Sequence, residues 1–160
     1  MSGLLNHSPA EIVQQALIDA GHGTDPDTSP GEQWNVFNGS EADLPDHGIV
    51  VKDTTGREDG ASQITGQVER REGMQLLIRS GKNGVGRRKA NVIQNWMERT
   101  LYAANVTIAA KVTPDETIAA GTYRLHCFAD VGTPLPLGKA AASSRFVHSM
   151  NVTAVLWQLS

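Results

Sequence analysis

The sequence predicts an α+β fold: an antiparallel β-sheet with two main helices packed on one face and long loops between strands. Three observations carry this expectation. Residues 9–20 and 87–103 space their apolar side chains as one helical face. Other segments alternate apolar and polar residues with the period of a strand. Polar stretches of hairpin length, rather than helices, separate most of these strands, which favours antiparallel pairing. At 160 residues the chain fits one domain over 1–160.

The first helix is marked by Ser8-Pro9-Ala10-Glu11, a capping box with proline at the first helical position. Ile12, Ala16 and Ala20, flanked by Val13 and Leu17, form its apolar stripe, and Gly21 can end it in a left-handed conformation. Residues 21–31 read as loop from their Gly, Pro, Asp, Ser and Thr content. Trp34, Val36 and Phe37 mark a short extended segment, and Ile49-Val50-Val51 a β-branched strand after the turn at 44–48. Residues 54–63 read as a long hairpin loop, followed by a strand in which Met74, Leu76 and Ile78 share a face. Residues 81–86 break that strand, and the second helix follows with Ala90, Ile93, Met97 and Leu101 on one face. Residues 122–129 alternate again, with Tyr123, Leu125 and Cys127 expected together. Residues 132–142 read as a mobile connection before a long last strand, 145–159.

Lys and Arg number 14 against 17 Asp and Glu, a net charge of −3, which excludes a generally basic nucleic-acid coat. Aromatics are 5% of the chain and glycines 16, so the core is lean and turns are many. The lone cysteine can form no internal disulfide, and a thiol suits a reducing compartment. No apolar run nears the roughly 20 residues of a membrane span, and Met1-Ser2-Gly3-Leu4-Leu5-Asn6 predicts no export signal.

Residues 81–89 invite a phosphate-binding interpretation, because a glycine-rich turn leads into a helix beside Arg87, Arg88 and Lys89. The details depart from the known patterns. A Walker loop ends Gly-Lys-Ser/Thr, whereas this one ends Gly86-Arg87-Arg88, and Lys89 stands where a dinucleotide fingerprint needs its third glycine. His7, His22, His47, His126 and His148 are dispersed, so no zinc spacing arises, and Asp25 and Asp27 lack the other ligands of a calcium loop. Cys127, expected on an apolar face with His126 on the other, reads as an inert hydrophobe. No Gly-x-Ser-x-Gly elbow occurs, and neither Asp115 with Glu116 nor Glu69 with Glu72 reads as more than a solvated face. No catalytic residue, metal or cofactor is therefore expected.

Several segments resemble the tail terminator and minor tail (neck) proteins of long-tailed bacteriophages. Leu44-Pro45-Asp46-His47-Gly48-Ile49-Val50-Val51-Lys52-Asp53 after an N-terminal helix is similar to that family's first strand. Gly73-Met74-Gln75-Leu76-Leu77-Ile78-Arg79-Ser80 is similar to its second, and Arg88-Lys89-Ala90-Asn91-Val92-Ile93 running into Trp96-Met97 to the helix that follows. Pro136-Leu137-Gly138-Lys139 and Arg145-Phe146-Val147-His148-Ser149-Met150-Asn151-Val152 resemble its ending. The likeness spans roughly residues 44–158 and its motifs are loose and mostly structural; Lys139 stands where an acid is common and Ser144 where glycine is.

The resemblance implies a structural virion protein, made in the host cytoplasm and not an enzyme. It would form a homohexameric ring that caps the tail tube and joins it to the head-side connector, with genomic DNA passing through and no membrane contact. A ring interface is heterologous, so opposite charges belong on different flanks. Lys82, Arg87, Arg88 and Lys89 are the expected basic flank, and Glu41, Asp43, Asp46, Glu58 and Asp59 the acidic one. The loops at 56–72 and 132–144 are expected to make contacts above and below the ring. Three alternatives stay open: another neck or head-completion protein, a small nucleic-acid-binding module using the 82–89 basic turn, and a small enzyme.

Overall fold

The computed structural model describes residues 5–39, 46–61, 68–100, 104–139 and 145–159. Glu41 and Asp43, the turn at 44–45, the end of the second expected helix at 101–103 and the loop residues 62–67 and 140–144 lie outside them. Helix α1 (Pro9–Asp19) begins as its capping box predicts: Ser8 Oγ accepts from the Glu11 amide at 3.2 Å, and Glu11 Oε2 accepts from the Ser8 amide at 2.7 Å. It ends in a Schellman arrangement, in which Gly21 (φ +79°) turns the chain so that its amide reaches Ile18 O and the His22 amide reaches Leu17 O. Ala10, Ile12, Val13, Ala16 and Leu17 are buried along one stripe.

The architecture is α+β, and its main sheet is mixed. The strands are β1 (Asn35–Asn38), β2 (Gly48–Ala61), β3 (Val68–Ser80), β4 (Ala104–Ile108), β7 (Gly121–Val131), β8 (Leu135–Lys139) and β9 (Phe146–Gln158). Their order is β1-β2-β3-β9-β7-β4, with β8 also against β9; β5 (Lys111–Val112) and β6 (Thr117–Ile118) form a separate two-stranded ribbon. The sheet is not wholly antiparallel, because β1 runs parallel to β2. A four-residue strand carries no alternation that encodes its direction. Here Trp34 turns the chain at φ +65°, its amide donating to His47 O at 2.8 Å and its carbonyl accepting from the Thr24 amide at 3.1 Å.

Two expected loops are strands in part. The hairpin expected to open at residue 54 continues as β2 to Ala61, and β3 starts at Val68. Register shifts between Asp53 and Gly56 and between Glu58 and Gly60 absorb the glycines that suggested a loop, since a strand glycine commonly marks a bulge. The expected mobile connection contains β8, an edge strand that pairs with the first half of β9 while β7 pairs with the second. Pro136 is tolerated on such an edge. Strand β4 and the β5–β6 ribbon fall where no strand was expected.

The second helix, α2 (Asn83–Asn95), starts four residues before the expected Arg87 and passes into a π-helical turn, Trp96–Thr100. Gly84 and Gly86 therefore lie inside the helix, not in a strand-breaking loop. Gly86 is required by contact: a Cβ there would stand 3.0 Å from Ser80 Cβ and 3.4 Å from His148 Nδ1.

The core joins both helices to alternate residues of the sheet. Leu17, Ile93 and Met97 meet Ile49, Val51, Met74, Leu76, Ile78, Tyr123, Leu125, Met150 and Leu156 in one buried cluster. One residue changes side. A bulge between Leu125 and Cys127 pairs Cys127 with Val155 rather than with the Leu125 face, and His126 lies near Trp157, ring centroids 5.7 Å apart. The expected grouping of Tyr123, Leu125 and Cys127 fails because a bulge resets the period-two pattern.

Candidate functional site

The basic turn begins at Lys82, the N-cap of α2, whose extended backbone (φ −130°, ψ 128°) carries a side chain that caps nothing. The first helical turn contains no acid, so no side chain of this helix start complements its positive dipole end. Lys82, Arg87 and Arg88 are exposed; Arg88 folds back past Gly84, its Nη1 3.3 Å from where a Cβ would be.

Lys89 differs from the other three. Its Nζ lies 5.0 Å from the centroid of the Trp34 ring, and burial lowers its pKa. His47 stacks on Trp34 at 5.0 Å and 19°, and its Nδ1 is 3.0 Å from Ser80 Oγ. His22 packs against Trp96 at 4.8 Å; burial, and secondarily the charge of Lys89, lower its pKa. Lys89 is thus spent inside the chain, holding the Trp34 corner onto α2. Sequence reasoning missed this cluster because its members lie far apart along the chain.

The acidic candidates divide. Asp46 is exposed and accepts from Arg145 Nη2 at 3.1 Å and Nε at 3.3 Å, while its Cβ lies 3.9 Å from a Cβ position at Gly81. It therefore sits beside the basic turn, not on a separate flank. Glu58 and Asp59 belong to the far half of β2, where Glu58 pairs with Arg70, whereas Gly48 pairs with Arg79 next to the start of α2. At roughly 3.3 Å per residue, that separates them from the basic turn by about 30 Å along the strand.

At the other end of the sheet several polar groups pair with one another. Arg70 Nε donates to Glu72 Oε1 at 2.6 Å, the Ala10 amide donates to Asp53 Oδ1 at 2.8 Å, and the His7 amide donates to Tyr123 Oη at 3.1 Å. Among the described residues no group of three or more His, Cys, Asp or Glu is arranged to hold a metal ion. Compared with known proteins, the chain matches no protein-family model and no curated sequence.

The two edges of the sheet complete the candidate surface. Strand β1 pairs only with Gly48–Val51, so from Lys52 to Ala61 the outer edge of β2 has no strand partner among the described residues. The outer edge of β4, at the opposite end of the strand order, is likewise without one. Unpaired edges are templates for another chain.

Proposed function

We propose that this protein is a structural subunit of a tailed-phage virion, a tail terminator whose homohexameric ring caps the tail tube and meets the head-side connector, with genomic DNA passing through. The observation that carries it is the pair of unpaired edges, β2 beyond Val51 on one side and β4 on the other. Edges on opposite sides of one sheet allow a heterologous contact that repeats from copy to copy and closes by rotation. Both helices cover the inner face in this arrangement. The Ala10 amide on Asp53 and the seat of Gly86 on Ser80 and His148 support that, since register pairs Asp53 with Met74 and Ile78 with His148. No described helix is long and apolar enough to cross a membrane.

The nucleic-acid alternative draws on the same basic turn and is weakened by Lys89, which is half-buried over Trp34 and poorly available to a phosphate. Native mass spectrometry combined with hydrogen exchange tests the ring. A mass of six copies is expected at high protein concentration, with new amide protection along Lys52–Ala61 and Ala104–Ile108. A monomer at every concentration, or a hexamer whose edge amides exchange as freely as in the monomer, refutes edge-mediated closure.

A further inference from the structure

The buried cluster takes alternate residues of each long strand, and the residues between them form a second face of the main sheet. Register aligns that face across the strands. Lys52 of β2 shares a row with Gln75 of β3 and Asn151 of β9. Four residues along, Arg71 of β3 stands opposite Val155, and two further on Arg124 of β7 stands between Trp157 and Asn105 of β4. Lys52, Arg71 and Arg124 thus mark a diagonal from β2 to β7, about 20 Å long measured along the strands. Among the described side chains of this face the one acid is Asp130, on β7 beyond the end of β4. Arg79, on the same face, is 3% exposed and takes no part. A chain of net charge −3 therefore gathers positive charge here.

The diagonal is open to a ligand. Lys52 and Arg124 are partly exposed, and Lys52 makes no hydrogen bond or ion pair among the described residues. Arg124 Nη1 donates to Asn105 Oδ1 at 2.7 Å, which leaves most of the five guanidinium donors unspent among the described residues. A second observation narrows the occupant. Beside Arg124 the partly exposed rings of Trp157 and His126 lie 5.7 Å apart, tilted by 31°. Unpaired bases stack on such rings while their phosphates follow neighbouring cations, whereas a duplex keeps its bases stacked on one another.

We propose that this face binds single-stranded nucleic acid, its phosphates following Lys52, Arg71 and Arg124 and a base stacking against Trp157 or His126. Gln75, Asn151 and Thr153, neutral hydrogen-bonding side chains on the same face, lie between the cations. The surface is separate from the basic turn of α2. It is present in a single copy of the chain and does not depend on ring formation.

Fluorescence anisotropy of the full-length protein with labelled oligothymidylate or oligouridylate of about 12 nucleotides tests this, with a duplex of equal length as comparison. Saturable binding of the single strands is expected, and the stronger of the two assigns the sugar. Log affinity should fall with log salt by about 0.7 per phosphate contact, so Lys52→Gln and Arg124→Gln should each flatten the slope by about that amount. Trp157→Leu is expected to weaken binding at least fivefold with the slope unchanged, and Trp157→Phe, which keeps a ring, to restore much of it. Arg87→Gln, the same charge change on α2, should alter affinity less than twofold. Thermal melts check that each variant keeps its fold, and the two cation variants test the face even where Trp157→Leu does not fold. Absence of saturable binding, equal binding of the duplex, an effect of Arg87→Gln as large as that of Arg124→Gln, or equal binding of polyglutamate overturns the proposal.

Discussion

Alanine at Gly86 and alanine at Gly84 are expected to move stability in opposite directions, although both replace a glycine in α2. Each gains about 1 kcal/mol of helix propensity at most, because alanine loses less backbone freedom on folding. At Gly84 the new methyl meets only the end of the exposed Arg88 side chain, 3.3 Å away, which can swing aside. The gain survives there, and about 0.5–1 kcal/mol of stabilisation is expected. At Gly86 the methyl stands 3.0 Å from Ser80 Cβ. Ser80 is fully buried; its Oγ donates to Lys82 O at 2.8 Å, accepts from the Lys82 amide at 3.1 Å and lies 3.0 Å from His47 Nδ1. A side chain held at three points cannot retreat by several tenths of an ångström without losing those bonds. Overpacking of this kind costs about 1–3 kcal/mol, which cancels or exceeds the propensity gain. The difference between the two variants removes the shared propensity term and isolates the contact. It should be about 1–3 kcal/mol in urea unfolding, or roughly 2–4 °C of Tm per kcal/mol for a chain of this length. Equal stabilisation of both variants would show that α2 can lift from the sheet, and would refute contact as the reason for Gly86.

Two further outcomes are accessible to the same measurements. Ser8→Ala removes the acceptor of the Glu11 amide and is expected to cost about 1 kcal/mol; an unchanged unfolding midpoint would mean that water caps α1 equally well. His22 and His148 both have pKa values lowered from 6.5, chiefly by burial, so below that pH the unfolded chain binds protons that the folded chain refuses. Their contribution to stability is therefore complete above pH 6.5 and is lost as the pH falls below it. The urea midpoint should drop from pH 7.5 to 5.5, and a His22→Gln, His148→Gln double variant should drop less; identical slopes would refute the assignment.

What was legible in the sequence is what local chemistry determines. Ser8, Pro9, Glu11 and Gly21 defined α1 at both ends because caps act over a few residues. The alternating cores of β3, β7 and β9 were legible for the same reason. The far half of β2 was not, because residues 54–60 carry no apolar side chain to mark a face, and its glycines fall at register shifts rather than in a turn. Cys127 lies on the face opposite Leu125 because an inserted residue reverses the side chains that follow it, until the next register shift between Phe128 and Asp130 restores the pattern. At the candidate site, Arg87 and Arg88 were found from charge alone. His148 carried a signal that was passed over: a histidine in the register of Met150 and Val152 is a polar group on a core-facing row. Asp46 could not have been paired with Arg145 from sequence, since 99 residues separate them.

The separation of Glu58 and Asp59 from Arg87 and Arg88 has a direction, and that direction decides which contacts they can make. It runs along the strands, about 30 Å from one end of β2 to the other. Hydrogen bonds between neighbouring sheet edges run across the strands. If β2 of one copy pairs with β4 of the next, Glu58 and Asp59 lie within the paired strand, while Arg87 and Arg88 stay at the far end of the strands, so the two charged groups cannot meet each other around the ring. The basic end would then form one rim of the ring, free to meet the tube or the connector, and the subunit interface would be mainly backbone. Charge reversal at Arg87 and Arg88 separates the two geometries. A hexamer of unchanged mass agrees with edge pairing, whereas loss of the ring with intact monomers would make the charged ends the subunit interface and overturn edge pairing. Lys89 does not belong in that experiment: reversing it places a carboxylate against the face of Trp34, and any effect on assembly would be an effect on the fold.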